Sequence, residues 1–395
     1  MKTNNNIPAY RFQGYTDAWE LRKLGEVAPL RGGFAFKSSD FVKEGIPIVR
    51  ISNILSNGRV GAEFVHYKEL EQDERFTLHD GAAVLAMSGA TTGKVSVLHV
   101  DEGEKYYQNQ RVGYFTPTPE YNYDFIKVIV NSTFFTTQLS SVLVAGAQPN
   151  ISSKEVDDFC FAFPKSLPEQ EAIGTFFSTL DRQITLHQRK LDTLKEQKKT
   201  YLKLLFPAKG QTKPALRFQG FEDDWEEVKL GEVAEKFDNL RVPITASKRI
   251  SGKTPYYGAN GIQDYVEGYT HEGEFILIAE DGANDLKDYP VQYVNGKVWV
   301  NNHAHVIQSV RNFASNLFLL RALKTIDIEM YLVGGGRAKL NGDVMMKLPF
   351  KIPTLPEQEV IGTFFQTLDQ ELTLVEDKLA SLKEMKKTLL RKLFV

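Results

Sequence analysis

Residues 166–206 read SLPEQEAIGTFFSTLDRQITLHQRKLDTLKEQKKTYLKLLF. The chain repeats this stretch 188 residues later, without a gap, as TLPEQEVIGTFFQTLDQELTLVEDKLASLKEMKKTLLRKLF at residues 354–394. A gapless near-copy of this length indicates an internal duplication, so the same structural element is predicted to occur twice.

Each copy has the sequence features of a long helix with a defined start. Ser166 with Glu169, and Thr354 with Glu357, have the spacing of a capping box. In that motif the hydroxyl accepts a hydrogen bond from a first-turn amide, and the carboxylate accepts one from the amide of the capping residue. Acidic residues lie near the start of each copy and basic residues near its end, which is the polarity that the helix dipole favours.

Apolar residues recur in both copies at alternating intervals of four and three. A period of about 3.5 residues that persists over several heptads predicts the seam of a coiled coil. At about 1.5 Å per residue each helix would be roughly 55–60 Å long, a length that suits a spacer. The predicted helix–helix seam consists of Ile173, Phe177, Leu180, Ile184, Leu191, Leu194 and Leu205 in the first copy, and Ile361, Phe365, Leu368, Leu372, Val375, Leu379, Leu382, Leu389 and Leu393 in the second.

Lys198 and Lys386 interrupt the seam at equivalent positions. A polar residue in a seam usually fixes the register or the partner at some cost in stability. The alternative is a lysine whose stem lies along the seam while its charge reaches water. The sequence leaves both interpretations open.

A second repeat precedes the long helices. Residues 11–28 read RFQGYTDAWELRKLGEVA and recur at 217–234 as RFQGFEDDWEEVKLGEVA. The inserts that follow these head segments differ in sequence, and both alternate short apolar stretches with Gly-rich turns, which is typical of mixed α+β domains. One helix is expected near residues 123–143, separate strands at 291–294 and 297–300, and a disordered start over residues 1–10.

The expected fold class is therefore α+β: two mixed α/β domains separated by two long antiparallel helices that form a coiled coil, as a pseudo-twofold internal repeat. The predicted segments are 1–165 (first domain, with head segment 11–28), 166–206 (first long helix), 207–216 (linker rich in Pro, Gly and Lys), 217–353 (second domain, with head segment 217–234) and 354–395 (second long helix).

Composition limits the class of protein. With 395 residues and 42% hydrophobic content, two or three packed domains are expected. The single cysteine, Cys160, excludes an internal disulfide and favours a cytoplasmic location. No apolar run approaches the ~20 residues that a membrane span needs, so no membrane partner is expected. Because the net charge is −2, any nucleic-acid binding must come from local basic patches or be shared with a partner.

Motifs for catalysis and metal binding are weak. Residues 88–96, SGATTGKVS, lack the spacing of a phosphate-binding P-loop and are better interpreted as a Gly/Thr-rich turn whose hydroxyls and Lys94 contact a phosphate backbone. His303 and His305 would share one face of a strand if residues 298–307 are extended, but base contacts or polar strand residues are favoured over a metal site. With no recognisable catalytic spacing, the sequence argues against catalysis.

The repeated frame and the motifs within it resemble a known family. LPEQEAIGTFFSTLD at 167–181, its echo LPEQEVIGTFFQTLD at 355–369, and the paired LGEVA segments at Leu24 and Leu230 are similar to those of the specificity subunit of type I restriction–modification systems, over essentially the whole chain. Further motifs that resemble the family's target-recognition domains are GGFAFKSSDF (32–41), IVRISNI (48–54), GAQPNIS (146–152), PYYGANGI (255–262) and NNHAHVI (301–307).

The resemblance implies a non-catalytic DNA-recognition subunit. Each domain would recognise one half of a bipartite, asymmetric site on double-stranded DNA, and the helices would act as spacer and as docking frame for two modification subunits. Those methyltransferase subunits would bind S-adenosylmethionine, and restriction subunits that translocate DNA would use ATP and Mg²⁺. This chain itself would need no cofactor and no metal.

Recognition residues are expected to be forked, amide or cationic side chains on loops, because arginine pairs with guanine and Asn or Gln with adenine. The candidates in the first domain are Lys37, Arg50, Asn53, Thr91, Thr92, Lys94, Gln110, Arg111, Gln148 and Asn150. Those in the second are Arg241, Lys248, Tyr257, Asn260, Asn284, Asn302, His303, Arg337 and Lys339.

Two other functions remain open. A coiled-coil adaptor that holds proteins together without binding DNA shares the helix argument but leaves two unlike, loop-rich domains unexplained. A self-sufficient methyltransferase or nuclease is disfavoured by the missing catalytic motifs. Salt-dependent binding to duplex DNA would separate the first from a DNA-recognition subunit, and activity of the purified chain alone would support the second.

Overall fold

A computed structural model describes residues 7–101, 103–143, 149–334 and 338–393. The chain divides into two compact units: unit 1 comprises residues 1–187 and 378–395, and unit 2 comprises residues 188–377. Both long helices therefore contribute a segment to each unit. No helix in the described ranges is long and apolar enough to cross a membrane.

The N-terminal part of the chain contains mostly short strands and ends in the first long helix. In chain order the elements are β1 (Glu20–Lys23), α1 (Leu24–Val27), β2 (Leu30–Gly32), β3 (Phe41–Val42), β4 (Ile46–Val49), β5 (Val65–Tyr67), β6 (Thr77–Leu78), β7 (Ala83–Ala86), β8 (Val95–Val97), β9 (Tyr106–Gln108), β10 (Val112–Phe115), α2 (Tyr123–Val130), α3 (Thr133–Leu143), α4 (Ser153–Asp157), β11 (Cys160–Phe163) and α5 (Leu167–Leu204). They form a β1–β11 pair and two larger sheets, with strand orders β2–β10–β7–β8 and β3–β5–β4–β9–β6.

The C-terminal part also ends in a long helix, and its described strands are fewer and longer. Its elements are β12 (Glu226–Lys229), α6 (Leu230–Val233), β13 (Ala234–Lys236), β14 (Ser251–Gly258), β15 (Gly261–Val266), β16 (His271–Ala279), β17 (Val291–Val300), β18 (Ala304–Ser309), α7 (Asn316–Lys324), α8 (Gly342–Met345), β19 (Pro349–Ile352) and α9 (Leu355–Leu393). They form a β12–β19 pair and one sheet with strand order β13–β18–β16–β17–β14–β15. The described chain is thus a mixed α/β structure.

The helix starts agree with the predicted ones, but the carboxylate half of each predicted capping box is wrong. The oxygens of Glu169 accept hydrogen bonds from Nε and Nη2 of Arg11 at 2.6 and 2.8 Å, and from the Trp19 indole at 3.2 Å. Glu357 accepts the same two bonds from Arg217 at 2.8 and 2.7 Å. A forked guanidinium makes charge-assisted bonds that are stronger than one neutral cap amide can offer.

The glutamine after each of these acids fixes the globular part of its unit to the helix. The Gln170 side chain accepts from the Asn122 amide at 2.9 Å and donates to the carbonyl of Pro164 at 2.9 Å. Gln358 repeats the pattern: its side chain accepts from the Ser315 amide at 3.0 Å and donates to the carbonyl of Pro353 at 2.9 Å. The Glu-Gln pair of the LPEQE motif is therefore a structural clamp that occurs once in each unit.

Within unit 1, the start of α5 packs against the end of α9. Ile173 and Phe177 share one hydrophobic core with Leu390 and Leu393. Within unit 2, the end of α5 packs against the start of α9, where Phe206, just beyond α5, shares a core with Phe365. The predicted seam residues are buried, apart from the half-buried Ile184 and Leu389; Leu205 is buried but lies one residue beyond α5.

The seam lysines form equivalent ion pairs. In unit 1 the Lys386 ammonium lies 2.5 Å from the Asp181 carboxylate, and in unit 2 the Lys198 ammonium lies 2.6 Å from Asp369. Each pair joins α5 to α9. Such partly exposed pairs contribute at most about 1 kcal/mol, but their position favours the interpretation that the lysines fix the register.

Several local predictions were wrong. The single helix expected near residues 123–143 is two helices, α2 and α3. The two strands expected at 291–294 and 297–300 are one, β17, whose pairing with β16 continues through Gly296, at a φ of +95°. Residues 1–6 lie outside the described residues, whereas Tyr10, within the segment expected to be disordered, packs under the ammonium of Lys392 at 4.6 Å.

The duplicated ion pair gives a stability prediction. Arg11→Ala and Arg217→Ala leave Glu169 and Glu357, each 1% exposed, without their charged partner. Each variant should lower the free energy of unfolding of its own unit by about 3–5 kcal/mol. Hydrogen exchange in urea, resolved by segment, measures the loss in each unit. The control, Lys23→Ala, removes an exposed ion pair to Asp158 that solvent screens, so it should cost far less than either arginine variant; equal losses for Arg11→Ala and Lys23→Ala would contradict the prediction.

Candidate nucleic-acid interface

The two units contain the same parallel strand pair at corresponding places. In unit 1, β4 lies parallel to β9, and in unit 2, β14 lies parallel to β17. The strands that follow, β10 and β18, each lie between two antiparallel neighbours, in the orders β2–β10–β7 and β13–β18–β16. The chain therefore makes an equivalent turn between β9 and β10 and between β17 and β18.

Both turns begin with an asparagine that fixes the backbone. The amide of Asn109 donates to the last carbonyl of β4 at 3.1 Å, and that of Asn301 donates to a carbonyl of β14 at 3.0 Å. The side-chain oxygen of Asn109 accepts from the Arg111 amide at 3.4 Å, and that of Asn301 accepts from the His303 amide at 2.8 Å. These are Asx turns, in which the side chain replaces a backbone acceptor.

Two more loops join each turn through corresponding backbone bonds. In unit 1 the Met87 amide donates to the carbonyl of Arg111, the third residue of the turn, at 3.0 Å. The Ile151 amide donates to the carbonyl of Met87 at 2.9 Å. In unit 2 the Glu280 amide donates to the carbonyl of His303 at 2.9 Å, and the Leu340 amide donates to the carbonyl of Glu280 at 2.7 Å. Isolated bridges complete the match, Ser88 to Asn150 in unit 1 and Asp281 to Lys339 in unit 2.

We call these assemblies loop cluster 1 and loop cluster 2. Loop cluster 1 consists of residues 50–53, 87–94, 109–111 and 149–151, and loop cluster 2 of residues 257–260, 280–284, 301–303 and 338–340. A sequence signal for their equivalence existed but is short: MSGA at 87–90 corresponds to EDGA at 280–283, and both glycines have positive φ, +80° for Gly89 and +67° for Gly282. Asp281 was missed as a candidate for this reason.

Loop cluster 1 brings together most of the candidates of the first domain. They are Arg50, Thr91, Thr92, Lys94, Gln110, Arg111 and Asn150, of which Gln110, Arg111 and Asn150 are exposed. The residues of this cluster include three cations, so it offers the local positive charge that the whole chain lacks. Lys37 is exposed but lies outside the cluster, before the turn that leads into β3. Gln148 lies outside the described residues.

The loop between β7 and β8 is the Gly/Thr-rich turn that the sequence predicted, but its hydroxyl donors are used inside the protein. Thr91 donates to the carbonyl of Ile51 at 3.2 Å, and Thr92 lies within donor distance of the carbonyls of Gly89 and Pro149, at 2.6 and 2.9 Å. Lys94 contacts the Ser56 hydroxyl at 2.8 Å. The two threonines therefore hold loops together, and the predicted contact of their hydroxyls with a phosphate backbone stays a prediction.

Asn53 was wrongly predicted to contact DNA. It is fully buried, and its amide group donates to the carbonyls of Gly61 and Glu63 at 2.8 and 3.1 Å. Its side-chain oxygen accepts from the Arg50 amide at 3.0 Å. Asn53 thus fixes the loop that presents Arg50, because a buried amide must satisfy its hydrogen bonds within the protein.

Loop cluster 2 brings together Tyr257, Asn260, Asn284, Asn302, His303 and Lys339. Asn260 joins two of its loops, donating to the carbonyl of Gly282 at 2.9 Å and accepting from the Asn284 amide at 2.9 Å. Burial raises the pKa of the half-buried Tyr257, so its phenol stays neutral. Lys248 lies outside the cluster, at the end of the 3₁₀ turn Ala246–Lys248, and Arg337 lies outside the described residues.

Arg241 was also wrongly predicted to contact DNA. Its guanidinium is 15% exposed and donates to Glu280 at 2.6 Å and to the carbonyl of Ala304 at 2.9 Å. Lys339 donates to the other oxygen of Glu280 at 2.7 Å, and this bond raises the pKa of Lys339. Arg241 therefore belongs to an ionic network beneath loop cluster 2, which Asp238 and His305 complete.

The network affects the titration of its acids. Burial opposes the charge of Glu280, yet the hydrogen bonds from Lys339 and Arg241 hold its pKa below the usual value. Burial likewise opposes the charge of Asp238, but the bonds from His305 and from the Val306 amide lower its pKa. Both carboxylates are therefore ionised at neutral pH.

The histidines do not form the strand face that the sequence predicted, since residues 301–303 are a turn. His305 is buried on β18, with Nδ1 2.6 Å from Asp238 and Nε2 2.9 Å from the carbonyl of Leu340. Asp238, Glu280 and His305 lie close enough to share a cation. Because Arg241 and Lys339 already donate to Glu280, and both His305 nitrogens face acceptors, these groups are paired with protein partners instead.

Comparison with known proteins places the chain in a family. Residues 16–196 and 222–384 match the model of the type I restriction modification DNA specificity domain. The chain belongs to this family. It is 45% identical over 150 residues to the Haemophilus influenzae protein S.HindORF215P, described as a type I restriction enzyme specificity subunit, and 28% identical over 203 residues to the MjaVIII specificity subunit of Methanocaldococcus jannaschii.

These alignments cover 38% and 49% of this chain and 38% and 47% of the relatives, so the chain spans less than half of the length of either. Among solved structures, the S subunit of a type I restriction–modification system from M. genitalium has a TM-score of 0.74 at 17% identity. That match covers 98% of this chain and 99% of the other, and it supports the family fold over the whole chain.

The ionic network predicts how acid affects unit 2. Asp238 and Glu280 have depressed pKa values in the folded state, so their stabilising contribution is present above the unfolded value, about pH 4, and is lost as the pH falls through the folded pKa. Asp238→Asn removes one of these acids and should make the stability of unit 2 less dependent on pH between about pH 5 and 3. Segment-resolved hydrogen exchange measures this slope; equal slopes for both proteins would contradict the assignment.

Proposed function

We propose that this chain is the DNA-recognition subunit of a type I restriction–modification complex, in which loop clusters 1 and 2 each contact one half of a bipartite, asymmetric target. The observation that supports this proposal is one loop arrangement that occurs twice with different side chains at corresponding positions. Arg111 corresponds to His303, and Asn150 corresponds to Lys339. Two sites of equal geometry and different chemistry suit two half-sites of different sequence.

We further propose that α5 and α9 together form a coiled-coil spacer with pseudo-twofold symmetry that sets the unread gap between the half-sites. The equivalent pairs Lys386–Asp181 and Lys198–Asp369 support this proposal, since each joins the two helices within one unit. A salt bridge at an equivalent position in each unit penalises a shifted register, because a shift would separate both pairs. A fixed register would keep the gap constant in length.

Two modification subunits would dock on this frame. Unit 2 has an apolar groove of about 680 Å³ lined by Phe218, Phe364 and neighbouring residues of α9. Unit 1 has its counterpart around Phe12 and Phe176, and the two aromatic pairs have similar ring separations, 5.7 and 5.9 Å. Two copies of one partner require two similar surfaces, and the aromatic pair that recurs in each unit supports this part of the proposal, although the unit 1 groove is smaller, at about 190 Å³.

Catalysis would belong to the partners. The candidate side chains gathered in the loop clusters include cations, amides and hydroxyls, which are groups that proteins use to contact bases and phosphates. In this proposal the modification subunits bind S-adenosylmethionine, and restriction subunits use ATP and Mg²⁺. The complex would act in the cytoplasm, where its DNA substrate lies.

Exchange of one domain tests the proposal. Replacing residues 29–164 with the matching domain of another family member should change one half of the methylated sequence and leave the other half and the gap unchanged. The reason is that loop cluster 1 lies wholly within this segment. The chain is co-produced with its modification subunit, and methylated adenines are mapped across the genome.

The matched control replaces residues 235–353 and should change only the other half. If either exchange alters both halves, or neither exchange alters any, independent recognition by the two domains is wrong. If the unmodified chain, co-produced with its modification subunit, directs no bipartite methylation of DNA, the proposed function itself is wrong.

The apolar grooves that occur in both units also suit a protein–protein adaptor. A DNA-binding measurement separates an adaptor from a DNA-recognition subunit. The purified chain should bind random-sequence duplex with an affinity that falls as salt rises, since each neutralised phosphate adds about 0.9 to the logarithmic slope. Lys94→Gln should reduce that slope by about 1. Lys154→Gln, at an exposed cation outside both clusters, should leave the slope unchanged. Binding that is absent, or independent of salt, would favour an adaptor.

A further inference from the structure

The turn that follows each parallel strand pair presents a pair of polar side chains on a fixed backbone. In loop cluster 1 these are Gln110 and Arg111, and in loop cluster 2 they are Asn302 and His303. The backbone of each turn is held on both sides, by the bond of its asparagine to the parallel strand and by the bond that its third residue accepts from the neighbouring loop. The side chains can therefore vary while the backbone stays in place.

The two turns share a chemical pattern that the rest of the clusters does not. Each has an amide at its second position and a residue able to donate from a nitrogen at its third. Within the described residues, the side chains of Gln110, Arg111 and Asn302 form no hydrogen bond, and all three are exposed. Thr92, Asn260 and Lys339, by contrast, use donors or acceptors to hold loops together.

His303 differs from the other three because a carboxylate orients it. Its Nδ1 lies 2.6 Å from an oxygen of Asp281, a residue of the neighbouring loop. The His303 side chain is 35% exposed and that of Asp281 is 20% exposed. A carboxylate partner on Nδ1 fixes both the ring plane and the position of Nε2, which is the second-shell role that acids have beside functional histidines.

We propose that these two turn positions determine specificity in each domain: Gln110 and Arg111 in one half-site, and Asn302 and His303 in the other. Asp281 is a positioning residue that acts through His303. This inference rests on the proposed function and deepens it, since it selects four of the residues in the clusters as the base-contacting set. The remaining polar residues of the clusters position loops or contact the DNA backbone.

The side-chain chemistry gives each position an expected base. The fork of Arg111 matches the two major-groove acceptors of guanine, and the amides of Gln110 and Asn302 match the acceptor and donor of adenine. His303 offers one ring atom rather than two, so it should discriminate less sharply than Arg111. We therefore expect the base contacted by Arg111 to be specified more stringently than the base contacted by His303.

Alanine variants of the exposed turn residues test the proposal. The full chain carrying Arg111→Ala or His303→Ala is co-produced with its modification subunit, and methylated adenines are mapped. Each variant should relax one base position in one half-site, and Arg111→Ala should reduce discrimination there on the order of 10- to 100-fold. The other half-site and the gap should stay unchanged. Lys154→Ala and Lys347→Ala, at exposed cations outside both clusters, should leave the methylated sequence unchanged.

Asp281 requires a test that separates positioning from folding. Asp281→Asn should relax the same base position as His303→Ala, with the half-site of loop cluster 1 unaltered. In the His303→Ala background, Asp281→Asn should have no further effect, because an interaction that acts through His303 is already lost. An additional loss in the double variant, or a loss that extends to both half-sites, would overturn the positioning role.

The outcomes distinguish this inference from the function on which it rests. Suppose that the unmodified chain directs bipartite methylation and that both alanine variants methylate the same DNA sequence as the unmodified chain. The proposed roles of the turn residues are then wrong, and the proposed function stands. If the unmodified chain directs no sequence-specific methylation, the proposed function fails and the inference fails with it.

Discussion

The structure depends most on a buried bidentate ion pair that occurs twice. Arg11 pairs with Glu169 in unit 1, and Arg217 pairs with Glu357 in unit 2. Each glutamate lies in the first turn of a long helix, where the helix dipole also favours a negative charge. The arginines belong to the head segments, so each pair holds the start of a domain against the start of the helix that ends it. A carboxylate buried this deeply needs such a partner, which explains why head and helix segments are duplicated together.

The features that could be predicted from the sequence are those that lie in its repeated segments. The long helices and the head segments recur almost unchanged, so the duplication, the helix starts and the apolar seam were all visible. The partner of each first-turn glutamate was not, because a capping box explains the same spacing locally. Only the fold brings Arg11 within reach of Glu169, more than 150 residues away. Local motifs identify which residues have capacity for an interaction, and tertiary structure decides which interaction forms.

The loop clusters were predicted less well, for a different reason. Residue type selected most of the loops that the fold brings together in the two clusters, since forked and amide side chains gather there. It failed for Asn53 and Arg241, which have the chemistry of base-contacting residues but satisfy their hydrogen bonds inside the protein. Burial cannot be read from a loop sequence. The equivalence of the clusters was also hidden, because it lies in backbone hydrogen bonds and positive-φ glycines that leave only the short MSGA and EDGA matches.

The same backbone supports two different chemistries because its geometry depends little on the exposed side chains. Beneath loop cluster 2, Glu280 anchors an ionic network with Arg241 and Lys339, whereas the corresponding residue of unit 1 is Met87. Both residues nevertheless donate the same amide hydrogen bond to the turn. Since backbone amides and the first turn asparagine hold the loops, the side chains above them are free to differ. An arrangement of this kind permits a change in the surface proposed to contact DNA without a change in fold, and the duplicated frame permits it separately in each domain.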